Sequence, residues 1–379
     1  MTLNVERLKM LDVHFSTSIE DRLNSVRGLD KEQGKIPDAI VFPRDEDEVL
    51  KVVELALEEH IPLVPRGGGV SSAGGIVMKK GGIMVDMRRM KGIQAGKGEV
   101  MVEAGSGYVF NARVYPTLWK HATVGGNFCG GSWGIGSMEY GLNWDQVLEV
   151  RMANPRGKMT TLRGGDVKVA AHAEGTTGIV TRLRLMTRES VPIVSKIIMF
   201  NGLEEAITFT RKLYEEVPPL YHMVLRSPEI AHLTLGPDKW HLVIAYQKGR
   251  DVEIQGEDGK VIWENRDKFF AGAYMENFNY FEYSTYHLPL ESFGESLRKA
   301  SSMGAISEVE FANDFKAHLD FMGTSDVMDK ISAMMGKSSF DVNDVFINSR
   351  LSRDHIQKIM WYKRAYDKED LFNPGKVKF

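Results

Sequence analysis

Two different periods of apolar and polar positions run along this 379-residue chain. Val49, Val52, Val53, Ala56 and Leu57 recur at helical spacing, with Lys51, Glu54, Glu58 and Glu59 on the other side. That is the signature of an amphipathic helix, and Asp45 and Glu48 stand before it at capping-box spacing. Short apolar runs flank the helix: Ala39-Ile40-Val41-Phe42 after Pro37, and Ile61-Pro62-Leu63-Val64. Residues 83–87 and 100–103 predict further strands, and Tyr108 to Trp119 predicts a helix. Val147 to Met152 and Met159 to Leu162, separated by Asn154-Pro155-Arg156-Gly157, predict a hairpin. In 179–186, Thr181, Leu183 and Leu185 alternate with Arg182 and Arg184, as in a half-buried strand.

The pattern changes near Glu189-Ser190-Val191-Pro192, where glycine thins and aromatics increase. Leu203 to Glu216 predicts a helix and His241 to Tyr246 a strand, while Phe278 to Phe293 is crowded with tyrosine and phenylalanine. An amphipathic helix around His355 to Tyr366 precedes a tail. The expected fold is α+β, with a first domain over 1–190, a smaller α+β domain over 191–345, and a C-terminal helix and tail over 346–379. No fixed-period repeat interrupts this division.

Composition narrows the function classes. An apolar fraction of 43% and a charged fraction of 26% are those of a globular chain. The net charge of −3 gives no footprint for a nucleic-acid partner. No apolar run reaches the roughly 18 residues of a spanning helix, and the polar N-terminus lacks a signal core. Cys129 is the only cysteine, which rules out a disulfide within this chain and a cluster held by about four thiolates. A cytoplasmic location is expected.

The glycines carry the candidate chemistry. Pro65-Arg66-Gly67-Gly68-Gly69-Val70-Ser71-Ser72 follows a strand directly. A diphosphate needs several backbone N–H groups at contact distance, where Cβ atoms would obstruct and positive φ is useful. Alone, Gly67-Gly68-Gly69 fits an ordinary turn equally well. A second glycine-rich stretch, Val124 to Gly136, reads as a long loop against a flat or phosphorylated ligand. A third, Glu174 to Thr181, leads into a strand. Rival nucleotide signatures fail: Glu139 stands where G-x-G-x-x-G needs its third glycine, and the Gly92 to Gly98 stretch is one residue short of a Walker A loop.

The order of Pro37 and Pro43, the Pro65–Gly75 loop, Gly125-Gly126-Asn127, Tyr140-Gly141 and Gly175–Thr181 resembles the FAD domain of the vanillyl-alcohol oxidase/p-cresol methylhydroxylase (PCMH) superfamily. The ending Lys363-Arg364-Ala365-Tyr366-Asp367 with Leu371-Phe372-Asn373-Pro374-Gly375-Lys376 is similar to the glycolate oxidase/D-lactate dehydrogenase branch. The resemblance implies a two-part FAD domain, a substrate cap over 191–345, and a tail that returns to the FAD domain. It assigns FAD contacts to Pro65, Arg66, Gly67, Gly68, Gly69, Val70, Ser71, Ser72, Gly125, Gly126, Asn127, Cys129, Gly130, Gly178, Ile179, Val180 and Asn373. Val70 stands where covalent members carry histidine, so a non-covalent flavin is expected. The branch's H-x-G-D-G-N-x-H metal signature is absent and no metal is expected; Phe346-Ile347-Asn348-Ser349-Arg350 replaces its G-E-H-G segment.

The implied activity is oxidation of the CH–OH of a small 2-hydroxy acid by hydride transfer to flavin, with electrons leaving to an external acceptor. The alternative is a non-catalytic or electron-relaying subunit beside an iron–sulfur protein. A base near working pH favours histidine or tyrosine, and a carboxylate favours arginine. His287, Tyr286 and Arg350 are therefore the catalytic candidates, with Tyr283 and Arg226 behind them. Glu308 and Glu310 share a face of a predicted strand; paired carboxylates can bind a metal or a proton, but with no nearby histidine that face is expected to be solvated.

Overall fold

Asp45 starts the first long helix, and the reason is local. Its carboxylate accepts the Glu48 N–H at 2.9 Å, capping the helix Glu46–Glu58. Glu48 does not return the bond to the cap. Its carboxylate takes the Arg44 backbone N–H at 2.8 Å and Arg44 Nε at 2.6 Å. The buried stripe of this helix is Val49, Val52, Val53, Leu55 and Ala56. The computed structural model describes residues 3–27, 34–71, 74–131, 133–216, 218–233, 238–250, 252–336, 340–341 and 346–379.

Three sheets organise the chain. A four-stranded sheet places Phe15–Ser16, Ala39–Val41, Ile83–Asp86 and Leu63–Arg66 side by side, the last three parallel. A five-stranded antiparallel sheet follows in the order Ile93–Ala95, Glu99–Glu103, Ile179–Met186, Val147–Ala153 and Met159–Arg163. The first residue of its hairpin turn, Asn154, donates its N–H to Lys158 O, and Gly157 has φ 69°. These two sheets lie within residues 15–186.

The third sheet is the cap. Its eight antiparallel strands run Glu257–Asp258, Ile193–Phe200, Trp240–Gln247, His222–Arg226, Ile306–Phe311, Lys316–Gly323, Glu282–Pro289 and Phe340–Asp341. The helices Leu203–Glu215, Leu290–Ser302 and Ser325–Met335 cover one face. Strand periodicity sorts the side chains. Met223, Leu225, Val309, Phe311, Leu319 and Phe321 enter the core under the helices. The alternate positions, His222, Arg226, Glu308, Glu310, His318 and Asp320, fall on the other face and are also buried or nearly so.

Two local expectations fail. No helix forms over Tyr108 to Trp119; that stretch makes isolated bridges instead, Ala112 with Thr187 and Tyr115 with Ile135. Its aromatics pack against the domain junction, which overrides their helical spacing. The second glycine stretch is not wholly a loop either. Val124–Gly130 is a helix, capped by the Thr123 hydroxyl on Gly126 N–H at 3.2 Å.

The tail returns as a bridge beside Leu63. Leu63 N–H donates to Leu371 O, and Asn373 N–H to Leu63 O, both at 2.8 Å. Lys363, buried in the helix Arg353–Tyr366, holds the turn: its Nζ is 2.7 Å from Asp367 and 2.8 Å from Phe372 O.

Candidate active site

One cavity of about 270 Å³ joins all three parts of the molecule. It is lined by Pro65 to Ser71, from the end of the Leu63–Arg66 strand onward, and by Thr123, Gly125 to Asn127, Cys129 to Gly131, Trp133 and Gly134. Gly178 and Val180 also line it, and the cap supplies Phe270, Tyr274, Tyr283, Thr285, Glu308, Glu310, His318 and Asp320.

The glycines permit this shape by letting backbone meet backbone. A Cβ on Gly68 would stand 2.1 Å from His121 O, and one on Gly67 2.3 Å from Thr123 Oγ1. A Cβ on Gly125 would stand 2.6 Å from that of Ala104. Gly69 has φ 71°, and its Cβ would meet the Arg66 guanidinium at 2.5 Å. Arg66 is itself buried, donating from Nε to Ser25 O at 2.9 Å and standing 3.5 Å from Asp86. The cleft therefore has peptide walls from two glycine stretches, and apolar walls from Ile76, Met87, Leu118 and Val180. Bare backbone suits a pyrophosphate and flat apolar surface suits rings, so these residues fit a dinucleotide such as FAD.

The structure distributes the sequence candidates unevenly. Pro65, Arg66, Gly67, Gly68, Gly69, Val70, Ser71, Gly125, Gly126, Asn127, Cys129, Gly130, Gly178 and Val180 line the cavity. Ser72 lies outside the described residues. Ile179 points the other way, into the core of the first sheet. Asn373 stands behind the wall: its Nδ2 donates to Gly75 O at 2.8 Å and Glu174 O at 2.6 Å. Burial, then the charge of Glu174, pushes the Cys129 thiol up to about 12.

The three catalytic candidates do not line the cavity. Tyr286 faces the helix-covered core, against Phe321, because it is one residue out of phase with Thr285. Arg350 is buried behind Glu174 and ion-paired with it. His287 stands behind His318, its Nε2 2.8 Å from His318 Nδ1. Trp133, from the second glycine stretch, packs over both rings at 5.0 and 5.4 Å. Arg226 is fully buried, and its Nε donates to Glu308 at 2.9 Å.

Glu308 and Glu310 overturn the expectation of a solvated face. Both are buried and line the cavity, and Glu310 pairs in register with His318. Burial raises Glu308, while Arg226 pulls it back. For His318, burial opposes the charged form, but Asp320, Glu310 and Glu308 outweigh it and the imidazole is raised. The neighbouring His287 is held well below its usual value, by burial first and then by His318. Sequence reasoning missed His318, Asp320, Trp133 and Glu174. The legible signal for the first two was the alternation of His318 and Asp320 with Ala317, Leu319 and Phe321, which marks a strand with one polar face.

Residues 37–163 match the FAD binding domain family. The chain is similar to the mitochondrial D-lactate dehydrogenase [cytochrome] of Arabidopsis thaliana, 31% identical over 173 residues, 40% of this chain and 30% of that protein. It is 30% identical over 168 residues to glycolate oxidase subunit GlcD of Bacillus subtilis, covering 38% of this chain and 36% of the relative. These matches thus span about a third of each relative's length. An alkyldihydroxyacetonephosphate synthase structure superposes with a TM-score of 0.74 at 15% identity, over 99% of this chain and 85% of that one, a likeness of fold alone. The cradle and these similarities together identify residues 37–163 as an FAD binding domain, with FAD as its cofactor, and the whole chain shares the fold of the superposed synthase.

Proposed function

We propose that this protein oxidises the CH–OH carbon of a small hydroxylated substrate, with 2-hydroxy acids as the leading class. The observation that carries this reading is the continuity of the cavity, which runs from the glycine walls to a buried, titratable cap face without a partition. The names of two relatives, a D-lactate dehydrogenase and a glycolate oxidase subunit, support the substrate class. Arg66 to Ser71 and Gly125 to Gly130 hold the pyrophosphate and the adjoining chain of FAD, and Gly178 and Val180 line the same cavity. Bound flavin supplies a two-electron acceptor.

The chain's own residues do the rest. Tyr274, Tyr283 and Phe270 form an apolar and aromatic wall that limits water. Thr285, Glu310, His318 and Asp320 offer polar atoms to a small hydroxylated molecule. Electrons leave to an external acceptor. GlcD is named as a subunit, which supports a second reading, an electron-relaying subunit beside an iron–sulfur protein.

Anaerobic mixing separates the two. Loss of the oxidised-flavin absorbance band on adding D-lactate, glycolate or an uncharged polyol supports the oxidoreductase. No bleaching by any of them, with copurification of an iron–sulfur protein, supports the subunit.

A further inference from the structure

One carboxylate in the cap wall takes no hydrogen bond from the described residues. Its neighbours are all committed. Glu308 takes Arg226 Nε and the Phe270 N–H, each at 2.9 Å. Asp320 accepts from the Thr285 hydroxyl and lies 3.4 Å from His318 Nε2. His318 Nδ1 faces His287 at 2.8 Å. Glu310 is 9% exposed and lines the cavity, yet its Oε1 has no hydrogen-bond partner among the described residues. His222 Nδ1 stands 3.5 Å from that oxygen without bonding to it. Burial, then Arg266, pushes His222 down to about 3, so this neighbour is neutral. A buried polar atom without a partner is costly. That oxygen is closed off beside His222, so a molecule in the cavity meets the Glu310 carboxylate from its other side.

We propose that Glu310 is the catalytic residue that accepts the hydroxyl proton of the substrate, a role that rests on the CH–OH reading above. In this step the substrate O–H bond breaks and its proton goes to the Glu310 carboxylate. The C–H bond breaks with it, the hydrogen leaving with its electron pair to the oxidised flavin, which is reduced. The carbon–oxygen bond becomes a carbonyl. Burial pushes Glu310 up to about 8; His318 opposes that shift, and Glu308 and Asp320 add to it. A proton acceptor tuned toward working pH is the more effective one. Across the sheet, His222 is neutral and Arg226 is neutralised by Glu308. His318 is a positioning residue: Asp320 and His287 fix its ring, and Trp133 packs over it.

The test uses Glu310→Gln and Glu310→Asp in the full chain, with flavin content and circular dichroism as checks of folding. Glu310→Gln keeps its flavin and slows anaerobic flavin reduction by about 10²- to 10⁴-fold. The wild-type rate rises with pH to a plateau above about 8, and the Gln variant lacks that rise. Glu310→Asp recovers part of the rate. A second readout needs neither substrate nor flavin. In flavin-free protein, pH-difference infrared spectra contain a carboxylic-acid C=O band that is lost near pH 8, and Glu310→Gln removes it. A Gln variant reduced at the wild-type rate, or a band that survives in it, overturns the assignment of this proton to Glu310. A wild type that no hydroxylated substrate reduces overturns the CH–OH reading, and the catalytic role falls with it.

Discussion

Gly68 is a single residue on which the site depends, because its missing Cβ is the space His121 O occupies. Gly68→Ala is expected to destabilise the protein by about 1–3 kcal/mol through overpacking, read as a lower urea midpoint, and to reduce retained flavin. Cys129 gives a second expectation. A thiol pushed up to about 12 stays protonated and is a poor nucleophile. Acid precipitation should therefore release flavin into the supernatant, and Cys129→Ser should retain as much flavin as the wild type; flavin left in the pellet of the wild type alone contradicts this. Glu310 also leaves a mark on stability. Its folded value, about 8, is above its ordinary 4.5. Between those two pH values the folded state binds the extra proton, so stability falls as pH rises through the window. Glu310→Gln should flatten that fall in a pH series of thermal melts.

At the scale of elements, the returning tail is the piece that sequence resemblance could only name and the structure explains. Asn373 donates to two buried carbonyls, Gly75 O and Glu174 O, and Lys376 Nζ reaches Gly74 O. The tail thus pins the end of the first glycine loop to the third glycine element. Asn373→Ala leaves those carbonyls short of a donor, at about 1–3 kcal/mol. Flavin retention on dialysis should fall accordingly, while Asp45→Ala, far from the cavity, should cost about 1 kcal/mol as a lost helix cap and leave flavin binding unchanged. The capping prediction for Glu46–Glu58 was legible because a cap and an amphipathic stripe are local. The helix expected over Tyr108 to Trp119 was not, because its aromatics answer to packing partners at 135, 187 and 221.

For the whole molecule, function depends on how the cap meets the FAD domain. Trp133 reaches from the second glycine stretch onto His287 and His318 of the cap. Trp133→Ala should remove about 0.5–1.5 kcal/mol of aromatic contact, seen as a lower unfolding midpoint and a poorer substrate KM, with flavin still bound. Among the described residues no helix is long and apolar enough to cross a membrane. The sequence by itself determined the glycine stretches, the capped helix and the hairpin, because each is written in neighbouring residues or a short period; the tail's return came only as what the resemblance implied. It also held the polar stripe of 306–311, but not what covers that stripe. Only the tertiary structure decided that Tyr286 faces the core, that Arg226 and Arg350 are consumed by Glu308 and Glu174, and that Glu310 looks into the cavity beside His318. A strand's period assigns a residue to a face. Whether that face meets water, a helix or another domain is fixed by contacts between residues tens to hundreds of positions apart.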